Sequence, residues 1–399
     1  MDIFLSNPGF ICAAGDSSSA ETVAQFAERL SRGERTMAKT VCGLAGADGE
    51  RTFFVGAIDD ARLVPQRGAS DVRVLQILGS ALSSIQPIAQ KAVARYGAAR
   101  VGVCIGSCDN GSERSLAGHT AFFKGGAFPG GYNLKMQGAD SAATFARRMC
   151  GAQGVCLAFS TACSSGASAV IKARELIRAG ICDAVVAGGV DIASDTVLLG
   201  FDSLEAVSHG LTNPFSKNRD GINLGEGAAV FVLSRDDIDG TGVVLAGAGE
   251  SSDASHMTAP RADGSGAARA MNAALRDARL LPAHIDYVNL HGTGTRLNDS
   301  MEAIAMDAVF GAHAVAASST KPLTGHTLGA AGSLELAICF CALKSQTLPL
   351  HVWDGVQDDE IPRLNLVQSP RMARRGIRCC MSNSFAFGGC NASVIIKTV

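Results

Sequence analysis

The 399-residue chain has no run of about 18 or more uncharged apolar residues, so no membrane-spanning helix is expected. It also lacks net charge: 35 Lys and Arg stand against 37 Asp and Glu, a balance of −2. Nucleic-acid binding through phosphate neutralisation is therefore not expected, although a local patch for one acidic partner fits that balance. The opening Met1-Asp2-Ile3-Phe4 is not a basic stretch leading into an apolar run and a small-residue cleavage site, which predicts a cytoplasmic protein without a secretory signal. Cysteine is not scarce, at 13, yet no Cys-x-x-Cys pair occurs. Cys104, Cys156, Cys182, Cys339 and Cys341 are scattered among Val, Ile, Leu, Ala and Phe, where a free thiol packs as a small hydrophobe. Neither a zinc finger nor a disulfide framework is expected. Low-complexity tracts, Pro-rich linkers and sequence repeats are missing too. At 47% hydrophobic and 18% charged, the chain reads as a globular protein of two closely packed halves.

What is present is an alternation of short β-rich apolar runs with Ala-rich helical patterns, which predicts a layered α/β fold. The strand candidates are Val101–Ile105, Val155–Phe159, Ala184–Ala187, Ala229–Leu233, Val243–Ala246, Tyr287–Leu290 and Val394–Lys397. Several are apolar throughout, as strands covered on both faces are. The helix candidates are Ala20–Leu30, Leu75–Val93, Ser164–Arg178, Ser265–Ala278, Met301–Phe310 and Ser333–Leu343. Much of the glycine gathers in the links at 106–112, 188–189, 221–227, 292–294, 325–332 and 388–389, where catalytic turns are expected. The acidic turn Asp236-Asp237-Ile238-Asp239-Gly240 is the best boundary, giving halves over 1–240 and 241–399.

Three short segments carry the chemistry. Thr161-Ala162-Cys163-Ser164-Ser165 follows one strand candidate and opens a helix. A thiol there meets the positive end of the backbone dipole and unpaired N–H groups, which predicts a stabilised thiolate and acyl-thioester chemistry. His291-Gly292-Thr293-Gly294-Thr295 places an imidazole at a strand end, with two hydroxyls beside it. Lys321-Pro322-Leu323-Thr324-Gly325-His326 adds a second imidazole and a cation. Each motif alone has a plain structural reading: a packing cysteine, a buried histidine, a solvated lysine. Together they suit carbon–carbon bond formation between thioesters.

These segments resemble the elongating β-ketoacyl-acyl carrier protein synthases of the thiolase superfamily. The resemblance covers nearly the whole chain. It extends to Asn213-Pro214-Phe215-Ser216 with Arg219-Asp220-Gly221, to Gly225-Glu226-Gly227, and to Asn383-Ser384-Phe385-Ala386-Phe387-Gly388-Gly389-Cys390-Asn391. It implies a five-layered αβαβα core of two similar halves, a homodimer with active sites near the dimer interface, and acyl carrier protein as partner, with substrates borne on its phosphopantetheine and no cofactor required. Cys163 would be the acyl-accepting nucleophile. His291 and His326 would donate from Nε2 to the thioester oxygen as malonyl loses CO2. Lys321 matches the family lysine, and Glu302 the acid that pairs with or orders it. Phe387 would give the second N–H of the oxyanion hole, its ring gating the acyl pocket, within a substrate-binding loop that includes Phe385. Thr293 and Thr295 would bond the pantetheine arm.

Departures from the pattern leave alternatives open. Cys390 stands where a Thr is common, and the region 32–60 is compact. Gly106-Ser107-Cys108-Asp109-Asn110-Gly111-Ser112 resembles the segment lining the acyl pocket but is more polar. If Cys108 and its neighbours face that pocket, a short, unsaturated or aryl-primed chain is expected; otherwise Asp109 and Asn110 make a turn or bond across the dimer. Asn289, Glu335, Ser382 and Asn383 match a group that in some relatives encloses a structural monovalent cation, and an internal hydrogen-bond network is the other reading. His256 resembles a position near the pantetheine channel. Lys124, Lys135 and Arg174 could meet an acidic carrier protein. A non-catalytic subunit that sets chain length within a heterodimer is the alternative function, against which Cys163 argues; His326 argues against a thiolase or a CoA-primed synthase. Primary fatty acids and a dedicated polyene or polyketide-type cluster, including the aryl polyene kind, both remain as pathways.

Overall fold

The computed structural model describes residues 1–42, 51–65, 72–109, 111–369 and 376–399. The N-terminal half runs β1 (Phe4–Leu5), β2 (Gly9–Cys12), β3 (Gly15–Asp16), α1 (Ala20–Arg32), β4 (Ala38–Cys42), β5 (Arg51–Val55), α2 (Arg73–Tyr96), β6 (Val101–Gly106), α3 (Ser112–Gly125), α4 (Ser141–Cys150), β7 (Cys156–Phe159), α5 (Ser165–Arg178), β8 (Ala184–Asp191), α6 (Asp195–Ser203) and β9 (Gly227–Ser234). The C-terminal half continues with β10 (Val243–Ser252), α7 (Ser265–Ala278), β11 (Tyr287–Asn289), α8 (Arg296–Phe310), β12 (Ala316–Ser318), α9 (Lys321–Thr324), α10 (Ala331–Ser345), β13 (Asn365–Leu366), β14 (Cys379–Phe385) and β15 (Cys390–Thr398).

The two halves repeat one topology, as the family resemblance implies, although no repeat is visible in the sequence. In the first, β6 pairs in parallel with β7 and β8, β8 is antiparallel to β9, and β9 is antiparallel to β2. In the second, β11 pairs in parallel with β12 and β14, β14 is antiparallel to β15, and β15 is antiparallel to β10. The strands also follow the same order along the chain. The short β1 pairs with both β9 and β10, joining the two sheets at one edge. The turn from β7 into α5 and the turn from β12 through α9 into α10 are therefore counterparts, and so are the ends of β6 and β11.

Layering follows from the apolar pattern. Strands β8 and β9 are buried along their whole length, as both-face coverage requires. One outer face packs under α2 and α4, the other under α7 and α8, and α5 and α10 fill the space between the sheets. Small residues let those two central helices approach. A Cβ on Gly166 would lie 2.8 Å from Ser333 Oγ, and one on Gly332 would lie 2.8 Å from Ala167 Cβ. Helix α10 is buried on all sides from Ala331 through Leu343, and apolar there apart from Ser333 and Glu335. The segment Leu328–Ser345 is long and apolar enough to cross a membrane by length and composition, but 89% of it is buried in this core. Each Leu or Ile fully buried there stabilises the fold by about 1.5–3 kcal/mol.

The predicted strands and helices are present, with ends shifted by up to six residues. Strand β14 was not foreseen because Ser382, Asn383 and Ser384 break its apolar character, although all three are buried. Helices α3, α4 and α6 were also missed. In the region expected to be compact, β4 and β5 form a separate antiparallel pair, and its connection at 43–50 lies outside the described residues. So does Asn110.

Candidate active site

Cys163 sits in the turn before α5, 5% exposed. Ala162 just before it holds φ +52°, a left-handed conformation that costs a non-glycine residue about 1–3 kcal/mol. The turn is stapled by its own hydroxyls. Ser165 Oγ donates to Ala162 O (2.6 Å) and accepts from Thr161 N (2.9 Å), while Ser164 Oγ donates to Thr161 O (2.8 Å). The backbone N–H of Phe387 is directed at the Cys163 thiol.

The second half brings both histidines to this thiol. His326 Nε2 lies 3.1 Å from Cys163 Sγ, and the His291 and His326 rings meet edge-on with centroids 5.3 Å apart. Burial first, and then the Lys321 charge, holds both imidazoles well below their ordinary 6.5. Burial also pushes the Cys163 thiol up to about 12, against the opposing pull of Lys321 and the Phe387 N–H. Desolvation thus works against the thiolate that the helix N-terminus favours.

Lys321, 1% exposed, fixes the tautomer of His291. Its ammonium donates to the His291 carbonyl and lies 3.4 Å from His291 Nδ1, which must accept. The proton of the neutral ring is consequently on Nε2, free to donate. The acid paired with Lys321 is Glu335, not Glu302. Glu302 instead accepts from the backbone N–H groups of His291 (2.8 Å) and Gly292 (2.7 Å), capping the β11–α8 turn. Both carboxyls are buried, which pushes Glu302 up to about 8 and Glu335 up to about 7.

A cavity of about 420 Å³ leads to these groups, and Cys163, His291, His326, Thr293, Thr295, Phe385 and Phe387 all line it. The two threonine hydroxyls are 3.0 Å apart. The Phe387 ring rests on Phe201, with centroids 5.7 Å apart. Phe201, Leu204, Ile222 and Pro260 form apolar walls that sequence reasoning missed, since nothing in their local pattern marks a wall. Cys108 lies outside this lining and packs on α5, its Sγ 3.8 Å from Ser165 Oγ. Asp109 makes the turn into α3, accepting from Gly111 N and Ser112 N. His256 is exposed, and its Nδ1 accepts from Thr258 N and Ala259 N. Lys124 and Lys135 are exposed, but Arg174 is 3% exposed and paired with Asp277, so it offers no docking surface.

Three atoms of the expected cation group fit a cation. Asn289 Oδ1, Glu335 Oε2 and Ser382 Oγ are buried without a hydrogen-bond partner among the described residues. Asn383 does not join them through its side chain, because its Oδ1 accepts from Ser393 Oγ (2.8 Å) and its amide faces Met271 sulfur. Separately, the ligand atoms of Cys163, His291 and His326 lie within 4.8 Å of one another, a set that suits a thiophilic metal and that spacing along the chain could not reveal.

In class, the doubled sandwich is the thiolase-type fold. Two family models match the chain, "Beta-ketoacyl synthase, N-terminal domain" over residues 85–238 and "Beta-ketoacyl synthase, C-terminal domain" over 242–352. The chain is 35% identical over 370 residues to 3-oxoacyl-[acyl-carrier-protein] synthase 2 of Vibrio harveyi, covering 87% of this chain and 88% of that one. It is 36% identical over 320 residues to nodulation protein E of Rhizobium meliloti, covering 76% of each. Among solved structures, the ketosynthase ApeO in complex with its chain length factor ApeC from Xenorhabdus doucetiae superposes with a TM-score of 0.90 at 36% identity, over 100% of this chain and 98% of that one. The chain belongs to the beta-ketoacyl synthase family.

Proposed function

We propose that the protein extends acyl chains by decarboxylative condensation on acyl carrier protein. One observation carries this reading: Cys163 Sγ, His326 Nε2, the His291 ring and the Phe387 N–H converge at the base of a largely apolar cavity. An acyl group passes from a phosphopantetheine thioester to Cys163, and the displaced carrier thiolate takes up the proton that Cys163 gives up. The N–H groups of Cys163 and Phe387 stabilise the tetrahedral oxyanion. Malonyl-carrier protein then loses CO2, and the enolate oxygen accepts from Nε2 of His291 and His326. The enolate carbon attacks the acyl-Cys163 carbonyl, the C–S bond breaks, and β-ketoacyl-carrier protein leaves. The released Cys163 thiolate takes up a proton from solvent.

Lys321 serves by holding His291 in the Nε2–H tautomer and disfavouring the imidazolium form. Glu335 and Glu302 are positioning residues, one for Lys321 and one for the backbone of His291. Thr293 and Thr295 are placed to bond the pantetheine arm. Asn289, Glu335 and Ser382 would hold a monovalent cation, which would offset the carboxylate of Glu335. The pathway reading we favour is a dedicated polyene or polyketide-type cluster. It is supported by similarity over the whole chain to ketosynthases solved with chain length factors, ApeO and the ishigamide ketosynthase, the latter at a TM-score of 0.88 and 25% identity. A second chain of the same fold completes the dimer in this reading, either a copy or a chain-length-setting partner. The retained Cys163 argues against this chain being that non-catalytic partner itself. The test is co-expression with candidate partner chains, followed by chain-resolved intact mass after each round of malonyl addition. Products only from the mixed complex identify a heterodimer, and products from the chain alone identify a homodimer.

A further inference from the structure

His351 is buried in the loop after α10, and both of its ring nitrogens are committed to backbone groups. Nδ1 accepts from Ser319 N (3.0 Å), so the neutral ring carries its proton on Nε2, which donates to Pro214 O (3.1 Å). Burial pushes this imidazole down to about 4, against the opposing pull of the Pro214 carbonyl, and keeps it neutral. The loop itself is pinned, because His351 N donates to Val367 O (2.7 Å) and Leu350 N to Leu30 O (2.9 Å). Ser319 stands two residues before Lys321, and its hydroxyl donates to the carbonyl of Gly292 (2.6 Å), the residue after His291. That contact has no slack: Gly292 holds φ +35°, and a Cβ on it would lie 2.6 Å from Ser319 Cβ and 2.8 Å from the Phe215 ring. Phe215 N in turn donates to Asp299 Oδ2 (2.8 Å), and Asp299 Oδ1 accepts from Gly294 N (3.2 Å). One imidazole therefore ties the Asn213-Pro214-Phe215-Ser216 motif to Ser319, and Ser319 ties the His291 turn to the Lys321 turn.

We propose that His351 is a positioning residue for decarboxylation, which sets the spacing of the His291 and Lys321 turns through Ser319 from outside the cavity lining. The proposal rests on the synthase reading given above. His291 and Lys321 serve the malonyl step, whereas the Cys163 turn is stapled by its own hydroxyls in the other half of the chain. A displaced Ser319 therefore disturbs decarboxylation and spares acyl transfer to Cys163. His351→Phe keeps a buried ring but leaves Ser319 N and Pro214 O without their partner. His351→Gln keeps one acceptor and one donor on the same side chain. Ser319→Ala leaves both His351 contacts in place and removes the bond to Gly292 O.

The test measures two rates on each full-length variant, CO2 release from malonyl-carrier protein and Cys163 acylation by an acyl-carrier protein read by intact mass, and compares their ratio. His351→Phe lowers the decarboxylation-to-acylation ratio by about tenfold or more, the size of effect that a small misplacement of reacting groups produces, and Ser319→Ala moves it the same way. His351→Gln restores it to within about threefold of the wild type, since a donor and an acceptor are back in place. Leu82→Ala, on the buried face of α2, lowers stability and leaves the ratio unmoved. A ratio unchanged in His351→Phe, or equally low in His351→Gln, overturns the proposal and leaves the synthase reading standing. Should the His351 variants fail to fold, Ser319→Ala decides alone. No Cys163-dependent adduct on the wild type overturns the synthase reading, and this proposal with it.

Discussion

Lys321→Met separates the structural work of the buried ion pair from its chemical work. Lys321 and Glu335 are 1% and 4% exposed, so neither charge has solvent to fall back on. Removing the lysine leaves a buried carboxylate without its cation, a loss of about 3–5 kcal/mol. Glu335→Gln keeps a neutral acceptor for the ammonium and costs less, about 1.5–3 kcal/mol for one charge-assisted hydrogen bond. The double variant Lys321→Met/Glu335→Gln no longer buries a lone charge, so urea unfolding should show it more stable than the sum of the single losses, by about 1–3 kcal/mol. Activity should divide differently. Malonyl-carrier protein decarboxylation, followed by CO2 release, should fall by about 100-fold or more in both variants lacking Lys321, because His291 loses the donor that sets its tautomer. Glu335→Gln should retain most of it. Additive stabilities, or decarboxylation recovered in the double variant, would refute the roles assigned to this pair.

Four further outcomes follow from the structure. Burial and, after it, Lys321 hold both histidines well below 6.5, so wild-type decarboxylation should stay flat from pH 8 to about pH 6, and Lys321→Met should move the acid limb that lies below this range upward, since one of the two causes is removed. The same depressed values make the histidines' contribution to stability full above 6.5 and lost progressively below it, a trend readable by urea unfolding across pH. Gly166→Ala should destabilise by about 1–3 kcal/mol in the same assay, since its Cβ would meet Ser333 Oγ at 2.8 Å and Gly329 O at 2.9 Å; a neutral substitution would contradict the close helix crossing. Replacing potassium and sodium by tetramethylammonium at equal ionic strength should lower Tm by several degrees if Asn289, Glu335 and Ser382 hold a small cation, and an unchanged Tm would assign them to an internal network.

The nucleophile, both histidines and the lysine were legible in the sequence because each sits in a short Gly- or Ser-rich turn at a strand end. The structure brings those turns together by repeating one topology twice. Which acid serves Lys321 was not legible. Glu302 and Glu335 both lie on helices that follow the motifs, and only the packing of α10 against the sheet brings Glu335 to the ammonium, while Glu302 turns back to its own loop. The burial that works against a Cys163 thiolate was not legible for a similar reason, since the helix terminus is visible in sequence and the desolvation around it is not. Arg174 looked like a surface charge because its partner Asp277 lies about a hundred residues away on α7. Strand β14 was hidden by the buried polar residues it contributes beside the site. His351 carries no local motif, and its partners Pro214 and Ser319 lie in segments distant in sequence.

The central claim is that Cys163 carries the growing chain to a malonyl-derived nucleophile. Intact-protein mass after incubation with a panel of acyl-carrier proteins, and then with malonyl-carrier protein, tests it directly in wild type and Cys163→Ala. The account predicts an acyl adduct on the wild type alone that disappears as β-ketoacyl-carrier protein forms. An adduct that persists in Cys163→Ala, or one that malonyl-carrier protein does not discharge, would contradict it.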